Sequence, residues 1–278
     1  MLSKKIPLVS VIITTKNEER NIANCLESIK NQTYCKEYIE IIVVDNHSTD
    51  KTVEIAKKYT DKVYTFGPER SAQRNYGMLK KAKGEYVMFV DADMVLTKGL
   101  VGEAAAKFSD SPKILGLYIP LRWKGNNWII KAKGFEREFY DATCLDAVRI
   151  IQRETFNKIK GFDERLYAGE DWDLDKRVRQ LGPVGSIQSQ MWHYEDENIS
   201  LKNYIRKMQY YSKNMSIYVQ KWGMTDPDVK QQLGFSYRFL WVFLEQGKWG
   251  KLISHPLLAL QMYFLKILNG VTFLLRLT

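Results

Sequence analysis

Two clusters of acidic residues in this 278-residue chain have types and spacing that could carry out chemistry. Asp91 and Asp93 directly follow an apolar run that predicts a strand, and two carboxylates so placed can hold Mn²⁺ or Mg²⁺, which prefer oxygen ligands. Glu170, Asp171 and Asp173 open a predicted helix, where the helix dipole favours acids. Three acids within four positions exceed what capping requires, so the cluster also offers a candidate general base.

The elements around these clusters alternate between strands and helices. Apolar, β-branched runs predict strands at 8–15, 39–44, 63–66 and 86–90, and helices are predicted after Asn17, after Ser48 and over 71–83. This alternation predicts an α/β fold with a doubly wound, mainly parallel sheet, whose ligands lie beyond the carboxyl ends of the strands. Asp45 and Asp91 both fall at such ends. A further helix is predicted from Glu170 to Gly182, where Gly-Pro stops it.

Composition and charge divide the chain into two parts. An apolar fraction of 45% with 27% charged residues is ordinary for a globular protein and excludes a disordered chain. We predict a catalytic domain over 1–198 and a helical, basic and aromatic region over 199–278. The formal net charge is +10, and residues after Asn198 contribute eleven Lys and Arg against three acids. That excess favours an anionic partner, either a membrane or a nucleic acid.

Cysteines and the N-terminus bear on the compartment. Three cysteines without C-x-x-C spacing predict neither a disulfide framework nor a zinc ribbon, and they fit a reducing cytoplasm. The apolar stretch near the N-terminus is short and β-branched, so we interpret it as a first strand rather than a signal peptide.

The segment 256–275 bears on the choice of partner. As a helix it is long enough to cross a bilayer. Its polar residues and those just upstream nevertheless fall on one arc of the helix, and these residues are Lys251, His255, Gln261, Lys266, Asn269, Thr272 and Arg276. The pattern predicts a helix lying in the membrane interface, with the polar arc toward the headgroups, a second such element over 235–244 and Trp249 at headgroup level. The alternatives are a helix packed on the catalytic domain, a subunit interface and a spanning helix.

Together these motifs resemble family 2 glycosyltransferases of the GT-A fold, over roughly residues 7–195. The order and spacing of several stretches carry the resemblance, and these stretches are 11–19, 43–50, 73–77, 84–93 and 169–171. The resemblance implies a metal-dependent glycosyltransferase that moves a sugar from a nucleotide-diphosphate sugar to an acceptor hydroxyl or phosphate. It also implies a single displacement with inversion and favours a UDP-sugar as the donor.

The resemblance implies roles for individual residues. It assigns the donor and its nucleotide to Thr14, Thr15, Asn17, Glu18, Asp45, Arg70, Arg74 and Asp91. Asp91 and Asp93 are implied to hold Mn²⁺ or Mg²⁺. Asp171 matches the catalytic base, and Glu170 would orient it or touch the acceptor. The chain has Asn46-His47 where family members have Asp-Gly, so the nucleotide base is not identified.

Other roles stay open between a functional and a structural interpretation. His193 follows an apparent strand and could complete the metal shell as a neutral imidazole, or it could be structural. Trp172 could stack on an acceptor sugar or belong to the core. Asn17 could be only a helix cap, and Arg74 only a solvated helix residue.

The predicted membrane-interface region would bring the active site to a lipid-linked acceptor, such as a polyprenyl phosphate or its glycosylated form, at the cytoplasmic face of the cell membrane. The alternative is a soluble enzyme acting on a polysaccharide or protein acceptor. A sugar nucleotidylyltransferase shares the sheet and the metal chemistry, but it would carry a G-x-G-x-R loop where this chain has Thr-Thr-Lys-Asn at 14–17. A binding module without activity would not need both acidic clusters. Nucleic acid is not predicted as a partner, because the apolar residues of the C-terminal region form long stripes.

Overall fold

The computed structural model describes residues 6–274, apart from the side chains of residue 213 and residues 272–274. Ten strands form two sheets, and the strands are β1 Val9–Thr15, β2 Ile39–Asp45, β3 Val63–Thr65, β4 Tyr86–Asp91, β5 Met94–Leu96, β6 Gly116–Tyr118, β7 Leu121–Lys124, β8 Val148–Gln152, β9 Val184–Ser186 and β10 Met191–Tyr194. A seven-stranded sheet has the order β3-β2-β1-β4-β8-β6-β9, and a three-stranded sheet has the order β5-β10-β7. The β3-β2-β1-β4 part is parallel, whereas β8 runs antiparallel to both β4 and β6. The predicted α/β fold with a mainly parallel sheet is confirmed.

Helices cover both faces of the large sheet and form the C-terminal region. They are α1 Ile22–Lys30, α2 Thr52–Lys57, α3 Arg70–Asn75, α4 Leu100–Asp110, α5 Trp128–Arg137, α6 Arg153–Lys158, α7 Glu170–Leu181, α8 Leu201–Trp222, α9 Pro227–Leu233, α10 Val242–Leu244, α11 Trp249–Ser254 and α12 Pro256–Leu274. Two π-helical segments, Tyr76–Lys81 and Tyr237–Trp241, and two 3₁₀ turns, Lys36–Tyr38 and Glu245–Gly247, complete the set. The predicted helix over 71–83 is therefore α3 followed by a π-helical segment.

The alternation of side chains along β1 explains why the large sheet is covered on both faces. Val11 and Ile13 belong to a buried cluster with α1 and α4, whereas Ile12 belongs to a second cluster with Phe89 and Phe162. Successive strand residues point to opposite faces, so an unbroken apolar strand needs cover on both sides. This burial fixes the register that brings Thr14 opposite Asp91 and Thr15 opposite Asp45.

Two helix starts differ in how well the sequence predicted them. Asn17 does not cap α1: its φ is 55°, and α1 begins five residues later, at Ile22. The Asn17 side chain instead accepts a hydrogen bond from the Thr49 backbone N–H at 2.8 Å, which joins the loop after β1 to the loop after β2. In contrast, α7 begins at Glu170 as predicted, after Gly169 with φ 76°. A Cβ at Gly169 would lie 3.0 Å from the ring of Tyr218, so glycine suits both the backbone and the space.

The C-terminal helix α12 packs with its polar side toward the protein. Lys266 is only 4% exposed, and its Nζ lies 2.7 Å from Oε1 of Glu136 on α5. Asn269 donates a hydrogen bond to the Tyr204 hydroxyl on α8 at 2.6 Å. The prediction that these two residues face lipid headgroups is therefore wrong, because both point into the protein and bond to partners on α5 and α8. The Thr272 side chain and residues 275–278, including Arg276, lie outside the described part.

The opposite side of α12 is exposed and apolar. Through the described part of the helix, the exposed side chains are those of Pro256, Leu257, Leu260, Phe264, Ile267 and Val271. Aromatic residues before α12 are also exposed, among them Phe235, Trp241 and Trp249. Within residues 6–274, we find no helix with the length and apolar character that crossing a bilayer requires.

Candidate active site

A cavity of about 400 Å³ opens beyond the carboxyl ends of β1 and β4. Eight of the residues predicted for the site line it, and these are Thr14, Thr15, Glu18, Arg70, Asp91, Asp93, Asp171 and His193. The strand register explains much of this grouping, because parallel strands end at the same edge of the sheet. Thr14 and Asp91, which are paired in register, are joined by a 3.1 Å hydrogen bond from the threonine hydroxyl. A second cavity of about 440 Å³ is lined by Lys30, Tyr59 and Lys62 among others, and none of the candidate residues lines it.

One corner of the cavity combines Asp93 with His193. Nε2 of His193 lies 2.8 Å from Oδ2 of Asp93, and the imidazole meets the Trp123 ring edge-on at 5.0 Å. Oδ1 of Asp93 and Nδ1 of His193 are buried and find no hydrogen-bond partner within the described part of the chain. Because buried polar atoms are normally paired, these two atoms are suited to a bound ligand.

The charge around this corner fits a divalent cation. Burial raises the pKa of Glu18, and the nearby carboxylates of Asp93 and Asp91 raise it further. The rise thus reflects burial first and the negative charge of the two aspartates second. Across residues 6–274, no group of three or more His, Cys, Asp or Glu side chains is already arranged as a metal site. The unpaired oxygen of Asp93, with Asp91 and His193 beside it, nevertheless matches the oxygen-rich donor set that Mn²⁺ or Mg²⁺ takes.

Arg74 joins the two acidic clusters from below the cavity. Its residue surface is only 1% exposed, and its guanidinium lies 3.0 Å from Oδ1 of Asp91 and 2.8 Å from Oδ1 of Asp171. It also stacks on the Phe89 ring at 4.5 Å. Although burial alone would raise the pKa of Asp91, Arg74 and its neighbour Arg70 hold that pKa well below its usual range. Arg74 is therefore a buried ion-pair partner and not a solvated helix residue.

The two acids that open α7 differ in their access to the cavity. Asp171 lines the cavity, with Oδ1 toward Arg74 and Oδ2 at 3.5 Å from the guanidinium of Arg149. Glu170 is buried outside the lining, 3.4 Å from Arg70, and both burial and the Asp171 charge raise its pKa. Of the two, Asp171 is the carboxylate that a substrate in the cavity can reach.

Besides Arg74 and Glu170, three predicted site residues lie outside the cavity lining. Asp45 is 1% exposed and its Oδ2 accepts the Ser48 backbone N–H at 2.9 Å, so it shapes the turn after β2. Asn17 serves the adjoining loop, and contacts of either residue with a nucleotide stay predictions. Trp172 donates to the Leu145 carbonyl at 3.2 Å and packs edge-on against Tyr218 at 6.1 Å. Trp172 thus packs against neighbouring clusters outside the cavity lining, and its stacking on an acceptor sugar stays a prediction.

Several cavity residues were not predicted. Arg149 on β8 and Lys133 on α5 line the cavity, and α8 contributes Lys207, Met208 and Tyr211. Lys133 and Lys207 both pair with Glu195. Burial alone would raise the pKa of this carboxyl, but the two cations hold the pKa at about 2. The sequence signal for Arg149 was a single basic residue within the apolar run of β8. The predicted boundary at residue 198 stays a prediction, but the wall of the cavity continues beyond it into α8.

A sheet of this order, with carboxylates grouped at the end of β4 and the start of α7, fits a glycosyltransferase of the GT-A type. The family model of glycosyl transferase family 2 matches residues 10–163, more than half of the chain. The chain belongs to that family.

Individual relatives and structures agree with this assignment. The poly(ribitol-phosphate) beta-N-acetylglucosaminyltransferase TarS of Staphylococcus aureus is 39% identical over 106 residues, which cover 35% of this chain and 18% of that protein. The match therefore spans about a fifth of the relative's length. The structure of Staphylococcus aureus TarS 1-349 in complex with UDP-GlcNAc has a TM-score of 0.57 at 21% identity, covering 84% of this chain and 73% of that one. The mannosyltransferase PcManGT of Pyrobaculum calidifontis, in complex with GDP-Man and Mn²⁺, has a TM-score of 0.65 at 18% identity, covering 97% and 88%. At these identities the two structures support the fold.

Proposed function

We propose that this glycosyltransferase uses a nucleotide-diphosphate sugar, with a UDP-sugar favoured, and transfers the sugar with inversion in a single displacement. The observation that carries the proposal is the position of Asp171. It lines the same cavity as Asp91, Asp93 and His193, yet its carboxylate contacts arginines rather than that corner. One cavity thus offers a place for a diphosphate and, separately, a carboxylate for the acceptor.

In the proposed reaction, an oxygen of the acceptor attacks the anomeric carbon from the face opposite the leaving group. The bond from that carbon to the diphosphate oxygen breaks, and the nucleoside diphosphate departs. The Asp171 carboxylate accepts the proton of an attacking hydroxyl, and Arg74 fixes its orientation from below. Asp93, Asp91 and His193 would hold a divalent cation, which supplies positive charge to the diphosphate.

The donor and the stereochemistry can be tested directly. A panel of nucleotide sugars is scored for hydrolysis and for thermal stabilisation of the protein, with Mn²⁺ present and with it removed by chelation. We expect stabilisation by one class of donor that depends on Mn²⁺. The anomeric configuration of the product is then read from NMR coupling constants, and retention of configuration would contradict the single displacement.

The proposed acceptor is lipid-linked, and the exposed face of α12 supports that proposal. Leu260, Phe264 and Ile267 present large apolar side chains to solvent along one side of the helix, while its polar side, with Lys266 and Asn269, bonds to partners within the protein. Contiguous exposed apolar surface of this kind marks an interaction site. Exposed Trp241 and Trp249 suit the headgroup level of a bilayer.

The charge of the region supports a membrane as the proposed partner. Residues after Asn198 carry eleven Lys and Arg against three acids, so the region complements an anionic surface. We therefore place the enzyme at the cytoplasmic face of the cell membrane, bound peripherally through α12. The spacing of the exposed residues also suits a helix–helix seam, so a second copy of the chain is the alternative occupant.

Substitutions on the exposed face test the membrane proposal better than a truncation. Deleting residues 235–278 would uncover apolar residues of α5, because Phe243 and Met262 are buried against them. We expect Leu260→Ser/Ile267→Ser to lose sedimentation with vesicles that contain anionic lipid. The matched control is Ile6→Ser/Met224→Ser, which changes two exposed apolar residues elsewhere. The alternative predicts that the wild type does not bind the vesicles and is a dimer by light scattering, whereas the α12 variant is a monomer. That result would assign the exposed face to a second copy of the chain.

A further inference from the structure

Arg149 is a buried arginine that the proposed reaction leaves without a role. It lies on β8 beside Phe89 of β4, and its guanidinium stacks on the Phe89 ring at 5.0 Å. The residue is 9% exposed and lines the cavity. Its Nη2 faces Oδ2 of Asp171 at 3.5 Å, an ion pair longer than the 2.8 Å contact that Arg74 makes with the same carboxylate.

Two of the donor atoms of Arg149 point to a ligand. Nε and Nη1 are both buried, and neither has a hydrogen-bond partner among residues 6–274. A guanidinium offers its N–H groups in a planar fork that matches the oxygens of a carboxylate or phosphate. Buried donors are normally satisfied, so an oxyanion bound in the cavity would complete this side chain.

We propose that Arg149 binds a phosphate group of the acceptor, next to the carboxylate of Asp171. The proposal rests on the proposed function, because it takes Asp171 as the group that faces the acceptor. It narrows the acceptor to a phosphate-bearing molecule, whether the phosphate belongs to a lipid or to a polymer of phosphate esters.

The position of Arg149 assigns it to the acceptor and not to the donor. The unpaired oxygen of Asp93 and the His193 ring mark the other corner of the cavity, where the diphosphate is proposed to lie. Arg149 instead contacts Asp171, whose Oδ1 is held by Arg74. An acceptor phosphate beside Asp171 would therefore meet the guanidinium of Arg149.

A purely structural role for Arg149 makes a different prediction. If the side chain only stacks on Phe89 and orients Asp171, its replacement changes stability and leaves phosphate binding unchanged. If it binds an acceptor phosphate, its replacement weakens phosphate binding and leaves nucleotide binding unchanged. Binding measurements on the same variants therefore separate the two roles.

The experiment titrates inorganic phosphate, by calorimetry, into protein saturated with UDP and Mn²⁺, so that the diphosphate site is filled. We expect Arg149→Met to weaken phosphate binding at least tenfold, with UDP affinity within twofold of the wild type. Arg149→Lys keeps the charge and serves as the second variant if Arg149→Met does not fold; we expect it to weaken binding less. The matched control is Arg206→Met, the same change at an exposed arginine of α8 outside the cavity lining.

The outcomes distinguish this proposal from the proposed function. Phosphate that binds the wild type and both Arg149 variants equally, or that does not bind the wild type, overturns the phosphate site. Failure of UDP to bind the wild type contradicts the proposed function instead, and phosphate titration of the nucleotide-free protein then decides the Arg149 site by the same comparison.

Two further probes identify where the phosphate comes from. A short-chain prenyl monophosphate in detergent represents the lipid source, and glycerol phosphate represents a phosphate-ester polymer. If only the prenyl monophosphate binds in a way that depends on Arg149, the phosphate comes from a lipid. If glycerol phosphate binds in this way, the phosphate comes from a phosphate-ester polymer. Binding of both probes without any dependence on Arg149 overturns the proposal.

Discussion

Replacing Asp171 with asparagine isolates the proposed general base from the structural role of the same side chain. The amide retains the shape of the carboxylate, and its oxygen can still accept the 2.8 Å contact from Arg74. It cannot take a proton from the acceptor. We therefore expect Asp171→Asn to keep donor binding and to lose transfer.

The magnitude follows from two separate effects. Loss of a general base lowers the rate about 10²–10⁴-fold, which corresponds to roughly 3–5 kcal/mol in the activation free energy. The amide also turns an N–H group toward Arg149, where the carboxylate oxygen lay at 3.5 Å. The contact between residue 171 and Arg149 is then weakened, whereas Arg74 keeps its ion pair with Asp91. We expect the free energy of unfolding to fall by about 1–2 kcal/mol, which corresponds to a fall in Tm of roughly 2–8 °C.

The assay measures initial rates of transfer at saturating donor, together with UDP affinity by calorimetry and Tm by differential scanning. Glu170→Gln is the matched control, because it makes the same chemical change at the neighbouring acid that lies outside the cavity lining. A variant that binds UDP and turns over at the wild-type rate would refute the assignment. Glu170 would then be the next candidate for the base.

Other contacts in the protein lead to three further predictions. Asp93→Ala should weaken donor binding at least tenfold in Mn²⁺ but not after chelation, as measured by calorimetry; unchanged Mn²⁺-dependent affinity would remove Asp93 from the metal site. Lys266→Met should lower the free energy of unfolding by about 3–5 kcal/mol, since it leaves the Glu136 carboxylate with the Tyr140 hydroxyl but without its cationic partner. Denaturant titration should show Lys266→Met/Glu136→Gln to be more stable than the single variant. Although burial alone would raise it, Lys62 and a serine hydroxyl hold the pKa of Glu40 below its usual range. The stability that Glu40 contributes is then present above about pH 4.3 and lost as the pH falls through its folded-state pKa. Lowering the pH from 5 to 3 should therefore reduce the free energy of unfolding more in the wild type than in Glu40→Gln, as measured by denaturant titration at each pH.

The parallel part of the sheet could be predicted because its signals are local. The strands β1, β2 and β4 are short apolar runs, and each ends at a polar residue that the register then brings to one edge. The start of α7 was predicted for the same reason, since the acids and the preceding glycine stand together in the sequence. Features that depend on neighbouring residues were thus accessible without the structure.

The remaining features depend on contacts between distant residues. Arg149 reaches Asp171 only because β8 inserts antiparallel beside β4, and the sequence does not encode that pairing locally. The orientation of α12 was wrong for a related reason. Lys266 and Asn269 share one side of α12 as predicted, whereas Lys251 and His255 precede this helix and are exposed. Periodicity cannot distinguish lipid headgroups from partners within the protein, such as Glu136 on α5.

The short helix α5 contacts both the candidate active-site cavity and the C-terminal helix α12. Lys133 forms part of the cavity wall, and Glu136, three positions along the same helix, holds Lys266 of α12. Residues three apart lie one above the other on a helix, so less than one turn separates the two contacts. A close-packed interior transmits displacement rather than absorbing it. A shift of α12 relative to the sheet would therefore reach the cavity wall through the continuous helix α5, and also through α8, which bonds to Asn269 of α12 and lines the same cavity.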